Sequence, residues 1–209
     1  MESAEAALDR LCDPAAEVSA HYVIGERGAV WALVPEEARA WHAGAGAWGA
    51  ARDVNSRSIG IELVNAGALD GLPPFPEPQM AALEALLDGI MARWAIPPAR
   101  VIGHSDMAPG RKGDPGPKFD WRRLARGGRA IFAGAAGLPA AAPDWDRFAA
   151  HAGTMGYHAP EAGGWPAVLG AFRLRFRPGA TGPLSGADVA LAAALAGRHP
   201  CVDAAALPT

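Results

Sequence analysis

An apolar stripe at residues 77–94 sets the first limit on what this chain can become. Met80, Leu83, Leu87, Ile90, Met91 and Trp94 recur three and four residues apart, the spacing of one face of an α-helix. Pro78 suits the first helical turn and Pro97-Pro98 ends the pattern, so a helix is predicted over Glu77–Trp94 with this stripe in a core. Other segments carry a different period. Residues 18–24 (VSAHYVI) and 29–34 read as two strands joined by a turn at 25–28 that carries Gly28, a residue tolerant of positive φ. In residues 58–65 (SIGIELVN), Ile59, Ile61 and Leu63 alternate with Gly60, Glu62 and Val64, the period of a strand. A further short strand is predicted at 100–103, and a short helix at 3–11 ends at Asp13-Pro14.

The texture changes toward the C-terminus. A short basic helix runs from Trp121 to about residue 126, and 127–143 is poor in charge and rich in Ala, Gly and Pro, as a linker would be. Three short helices follow, at 144–151, 165–176 and 185–195; Ser185 can cap the last, with Asp188 in its first turn. The domain reading is therefore 1–126, a linker at 127–143, and a small helical domain at 144–209. Arg173, Arg175 and Arg177 alternate here and are expected to form a solvated face.

With a net charge of −3 and no run of Lys or Arg, nucleic acid and anionic membrane are disfavoured as partners. No stretch approaches the roughly eighteen apolar residues of a membrane span. The acidic start MESAEAALDR does not look like a signal peptide, so the chain as written is expected to be cytoplasmic, and periplasmic or wall-associated if the true N-terminus is longer. Cys12 and Cys201 make no disulfide framework. A monomer is expected.

Chemistry concentrates in residues 101–121, VIGHSDMAPGRKGDPGPKFDW. His104 and Asp114 stand ten residues apart at either end of a loop too rich in Gly and Pro for helix or ladder. Folded back, that loop can aim both at one Zn²⁺, and Lys112 can reach the same spot to stabilise charge on a substrate oxygen. Alone, this spacing also fits a polar surface loop with an incidental histidine. Glu62 sits on a strand face otherwise made of small and apolar residues; if buried there it would resist ionisation and suit proton transfer near neutral pH. On an edge strand it would simply face water. His21, in an apolar run, reads as a packed, hydrogen-bonded core residue. Neither a G-x-S-x-G elbow nor a Cys with a His partner in sequence context supports a serine or cysteine hydrolase.

The segments SAHYVI, WHAG, IGIEL and GHSDMAPGRKGDPGPKFDW resemble the zinc-dependent N-acetylmuramoyl-L-alanine amidases. The resemblance implies an α/β fold with a central mixed β-sheet flanked by helices, acting on peptidoglycan or muropeptides. It implies that His104 and Asp114 ligate zinc, that Glu62 is the general base and that Lys112 assists catalysis. It places His42 and Asn55 along the substrate groove. GYHAP, AFRLRFRP and GADVALAAAL are similar to a three-helix peptidoglycan-binding domain found attached to such amidases.

The resemblance also implies a third zinc ligand, a His on a strand before the region equivalent to residues 3–11. Residues 1–209 supply none there, and His21 and His42 occupy positions where the family has its own His. The N-terminal strand is thus expected to be missing, leaving an unpaired sheet edge, and the chain as written is expected to hold zinc loosely. A non-catalytic peptidoglycan- or muropeptide-binding protein is the alternative.

Overall fold

A computed structural model describes residues 3–67 and 71–201; residues 68–70, within the loop expected at 66–78, lie outside it. Three strands form one mixed sheet in the order β2-β1-β3. β1 (Tyr22–Ile24) pairs antiparallel with β2 (Val30–Ala32), Tyr22 opposite Ala32, and parallel with β3 (Ile61–Leu63), Val23 beside Glu62. The turn between β1 and β2 closes through Gly28 N–H donating to Gly25 O at 2.9 Å, with Gly28 at φ +83°.

Each strand is shorter than its sequence period suggests. The His21 carbonyl accepts from both Leu33 N–H (2.8 Å) and Val34 N–H (3.5 Å), a two-against-one pairing that ends the regular ladder between β1 and β2. Among the described residues no strand pairs with the outer edge of β3.

Helix α1 (Ala4–Cys12) is capped by Ser3, whose Oγ accepts from Ala6 N–H, and it buries Ala7 against Val23 and Val64. Helix α2 spans Glu77–Trp94 as predicted and buries Met80, Leu83, Leu87 and Ile90. Two details differ from the stripe. Gln79, in the first turn, is fully buried; its Nε2 donates to Ile24 O (2.8 Å) and Val64 O (2.9 Å) and so fastens α2 to the ends of β1 and β3. Trp94 turns outward and is 44% exposed, because its Nε1–H donates to Glu36, which also accepts from Arg93 and Tyr22.

The segment before His104 departs further from expectation. Pro98–Arg100 is a 3-10 turn, and residues 101–103 are extended without ladder partners among the described residues. Val101 O accepts from the Arg175 guanidinium instead of a strand. His104–Met107 is one turn of helix, α3, rather than loop, since the Asp106 carboxylate accepts from Gly103 N–H at 2.9 Å and caps it. Helix α4 (Trp121–Arg126) follows.

Helices α5 (Trp145–Met155), α6 (Gly164–Phe176) and α7 (Gly186–Arg198) pack on Phe148, Phe172, Val189, Leu191 and Leu195. That core is continuous with Trp48, Val54, Met107 and Ile131. Residues 127–143 hold neither helix nor strand, yet Ala130 and Ile131 within them are buried.

The solvated arginine face does not exist for Arg173 and Arg175, which are 7% and 3% exposed. Both sit on the buried side of α6, and each meets a buried carboxylate. Arg173 bridges Asp188 through two bonds (2.6 and 3.1 Å) and Arg177 adds a third (2.6 Å), while Ser185 and Asp188 form a capping box at the start of α7. Burial alone would raise the pKa of Asp188; the bonds from Arg173, Ser185 and Arg177 overcome that and hold it well below the usual carboxylate range. A depressed native pKa contributes stability that is complete above the unfolded value near 4 and lost as pH falls through the native one. Asp188→Asn is therefore expected to cost about 3 kcal/mol at pH 7, with the gap to wild type narrowing below about pH 4; urea unfolding at both pH values checks it.

Candidate functional site

His104 opens α3 and is held from both sides. Its Nε2 lies 2.8 Å from Ala43 O. A carbonyl can only accept, so this nitrogen carries the proton. Nδ1 then points at Asp114 Oδ2, 3.0 Å away. In a neutral ring that nitrogen is an acceptor, and so is the carboxylate; a proton or a metal cation between them reconciles the pair. An imidazole whose far N–H is tied to a backbone carbonyl is also the usual arrangement of a metal-bound histidine.

The backbone of Asp114 is anchored too, while its side chain is 60% exposed. Ser105 N–H donates to Asp114 O (2.9 Å), stapling the two ends of the loop together, and the Asp114-Pro115 peptide is cis. Burial raises the pKa of Asp114, but the His104 bond and the charges of His104 and Lys112 outweigh it and bring it down. Gly103 makes the close approach possible: a Cβ there would lie 2.7 Å from Pro115 Cδ and 3.3 Å from the Trp121 ring.

Glu62, in β3, lines the same cavity as His104, Lys112 and Asp114, a cleft of about 1170 Å³ that continues between the sheet and α2. Burial raises its pKa above the ordinary carboxylate value, and the negative charge of Asp114 adds to the rise. The shift runs in the direction expected of a group that takes up and returns a proton. Lys112 N–H is fixed to Ala108 O (3.0 Å), and its side chain lines the mouth of the cleft.

His42 and Asn55 are coupled to this pair through the backbone. Asn55 Oδ1 accepts from His42 N–H (3.0 Å) and Ala43 N–H (2.8 Å), which sets the Ala43 carbonyl that His104 uses. The His42 ring lines the cleft with its Nε2 buried and without a partner among the described residues. Burial is the main cause that pushes its pKa down to about 4, with the His21 and His104 rings close by, so it is neutral at pH 7. A Cβ on Gly60 would stand 2.2 Å from His42 Cγ, so this ring packs where only glycine leaves room. His21 is the core residue expected: fully buried, its Nε2 donating to Ala38 O (3.0 Å) and its Nδ1 accepting from Gly60 N–H (2.9 Å).

Several residues of this region were not anticipated. Arg111 donates to Ala43 O (2.8 Å) and Ala45 O. Asp106 is fully buried under His104, bonded to Tyr157 and Arg175. A carboxylate three residues after a glycine that ends an extended segment is a capping signal, and it was the available clue.

As a zinc site the pair fits in part. Nitrogen and oxygen donors 3.0 Å apart are close to the ~3.3 Å edge that metal–ligand lengths near 2 Å give a tetrahedron. Among the described residues no group of three His, Cys, Asp or Glu converges on one point, one short of the usual catalytic set.

A mixed sheet backed by a long helix, with a His–Asp pair and a half-buried Glu on one cleft, makes an α/β fold with a candidate metal-and-base site. The chain belongs to the N-acetylmuramoyl-L-alanine amidase family, whose pattern matches residues 1–117. It is 43% identical over 124 residues to the N-acetylmuramoyl-L-alanine amidase AmiD of Escherichia coli K12, covering 54% of this chain and 45% of that protein. It is 38% identical over 107 residues to the 1,6-anhydro-N-acetylmuramyl-L-alanine amidase AmpD of Citrobacter freundii, covering 51% and 55%. The alignments thus span about half the length of these relatives. Among solved structures, E. coli AmiD in complex with anhydro-N-acetylmuramic acid-L-Ala-D-gamma-Glu-L-Lys superposes with a TM-score of 0.83 at 33% identity, over 93% of this chain and 84% of that one. AmpDh3 from Pseudomonas aeruginosa gives 0.82 at 31%, over 94% and 87%.

Asn55→Ala would leave the amides of His42 and Ala43 without their acceptor. The expected outcome is a loss of roughly 1–3 kcal/mol in stability and faster hydrogen exchange at those two amides, read by NMR, with the Gly60 amide unchanged.

Proposed function

We propose that this protein hydrolyses the amide between N-acetylmuramic acid and L-alanine in peptidoglycan or muropeptides, with a zinc ion held in part by His104 and Asp114. The observation that carries the reading is the His104–Asp114 pair facing the same cleft as a half-buried Glu62 whose pKa is raised. The substrate class is that of the family and of AmiD.

Zinc, when bound, supplies polarisation of the amide carbonyl and acidification of water. The remaining steps belong to the chain. Glu62 accepts a proton from the attacking water and returns it to the departing L-alanine amine, completing general acid–base catalysis on one carboxylate. Lys112, at the cleft mouth, places its ammonium toward the carbonyl oxygen as negative charge develops there. Ala43 O holds the His104 ring so that Nδ1 stays aimed at Asp114. His42 and Asn55 form the wall of the groove, His42 presenting a neutral imidazole to the sugar or the peptide amides and Asn55 keeping that wall in place.

The test is release of the free peptide amine from anhydro-N-acetylmuramic acid-L-Ala-D-gamma-Glu-L-Lys and from intact wall, with zinc added and with zinc chelated. Turnover that stops on chelation supports the reading; binding of either substrate without cleavage at saturating zinc replaces it with a binding protein. Glu62→Gln is expected to lower kcat by about 10²–10⁴-fold while leaving zinc uptake unchanged, and Asp114→Ala to lose zinc first, by elemental analysis. Because Glu62 works only when ionised and its pKa is raised, kcat/KM is expected to fall with decreasing pH at values above the ordinary carboxylate range. A profile from about pH 4 to 9 shows this acid limb.

A further inference from the structure

We infer that Asp106, Tyr157 and Arg175 are positioning residues for His104, through which the C-terminal helices hold the catalytic loop in shape; the catalytic part of this statement rests on the function proposed above.

The connection is short and wholly buried. Asp106 lies two residues after His104 in the single turn of α3, and none of its surface is exposed. Its Oδ2 accepts from Gly103 N–H (2.9 Å) and from Arg175 Nη1 (2.7 Å); its Oδ1 accepts from Tyr157 OH (2.5 Å). Arg175 belongs to α6 and Tyr157 follows α5, so both partners come from the C-terminal helices. The same guanidinium donates to Val101 O (3.0 Å) and Ile131 O (3.4 Å) and lies 4.0 Å above the Trp121 ring. It therefore grips the extended segment before His104, the residues after α4, and the turn that carries His104.

Tyr157 extends the grip to the other wall of the cleft. Its ring meets Trp48 edge-on, centroids 4.9 Å apart. Nearby, Gly156 O accepts from Gly49 N–H (2.9 Å), His158 Nε2 donates to Gly49 O (2.7 Å), and Met107 O accepts from Ala47 N–H (2.9 Å). The loop at 43–49 thus meets α3 and the C-terminal helices together, and it supplies the Ala43 carbonyl that orients His104.

Such a network carries geometry rather than mere adhesion. A one-turn helix has too few internal bonds to hold its own shape, and α3 has four residues. The fully buried carboxylate fixes where that turn sits, since any displacement would leave its charge unpaired. Misplacing a catalytic group by ~1 Å can cost about 10²-fold in rate.

Tyr157→Phe keeps the packed ring and removes one bond to Asp106. The control is Val189→Ala, which opens a cavity in the core of α7 without touching the loop. For Tyr157→Phe, kcat on the anhydro-muropeptide is expected to fall at least ~10-fold with KM within about twofold, and the His104 ring nitrogen resonances to shift or broaden. Val189→Ala, assayed at a temperature where both variants are folded by circular dichroism, is expected to keep both. Arg175→Lys keeps a charge for Asp106 but cannot hold Val101 O and Ile131 O together, and is expected to move the His104 signals likewise. Wild-type kcat and unmoved His104 signals in Tyr157→Phe would overturn the inference, as would an equal effect from Val189→Ala. If the wild type cleaves no muropeptide, the proposed function fails while the positioning is still decided by the ring resonances: moved in Tyr157→Phe alone, it stands; unmoved, it falls.

Discussion

The ion pair between Asp106 and Arg175 is the constraint on which the rest of the arrangement leans. Two charged groups lie away from water, and that state survives only when each is met by partners of fixed position. Asp106 finds them in Gly103, Tyr157 and Arg175; Arg175 finds them in Asp106, Val101, Ile131 and the face of Trp121. Five stretches of chain far apart in sequence are brought to one point by these contacts. The loop that carries His104 and Asp114 is among them, so its shape is set from beneath rather than by its own Gly- and Pro-rich sequence.

Above that foundation, the orientation of the imidazole is a matter of which atoms can donate. Ala43 O fixes the proton on Nε2, and Asp114 faces the other nitrogen. Asn55 fixes Ala43, and Arg111 shares its carbonyl. Ala43, Asn55 and Arg111 need not touch a substrate to matter, since the Ala43 carbonyl sets where the His104 ring points. Glu62 arrives from the sheet, on a separate element, and its burial makes a proton easier to keep there than in water.

Much of this was legible in the sequence, and the rest was hidden for identifiable reasons. Helix α2 was readable because eighteen residues of one period leave little choice, and Ser185 and Asp188 announced the start of α7. His104, Asp114 and Lys112 come to one cleft because the motif that names them also encodes the loop that folds them together, and Glu62 joins them from β3. What failed was the reading of isolated polar residues. Trp94 fits an apolar stripe by spacing, but it turns out toward Glu36 once that carboxylate, fifty-eight residues earlier in the chain, is placed beside it. Arg173 and Arg175 look like a solvated face because spacing says nothing of a distant acid; the partner of Arg175 is sixty-nine residues away. The strand expected before His104 was assigned from its apolar letters, and its backbone bonds to a side chain instead. Local pattern reports which residues want burial, and it is silent on which charges will be buried with them.

The contact between Gly60 and the His42 ring has a consequence for how this cleft can diversify. With a would-be Cβ only 2.2 Å from the imidazole, no residue other than glycine is compatible with a ring at that place. The two positions are locked into an order of events: a side chain can enter at 60 only in a lineage that has already given up the imidazole at 42. Change on this wall therefore has to begin at position 42, before any side chain enters at 60.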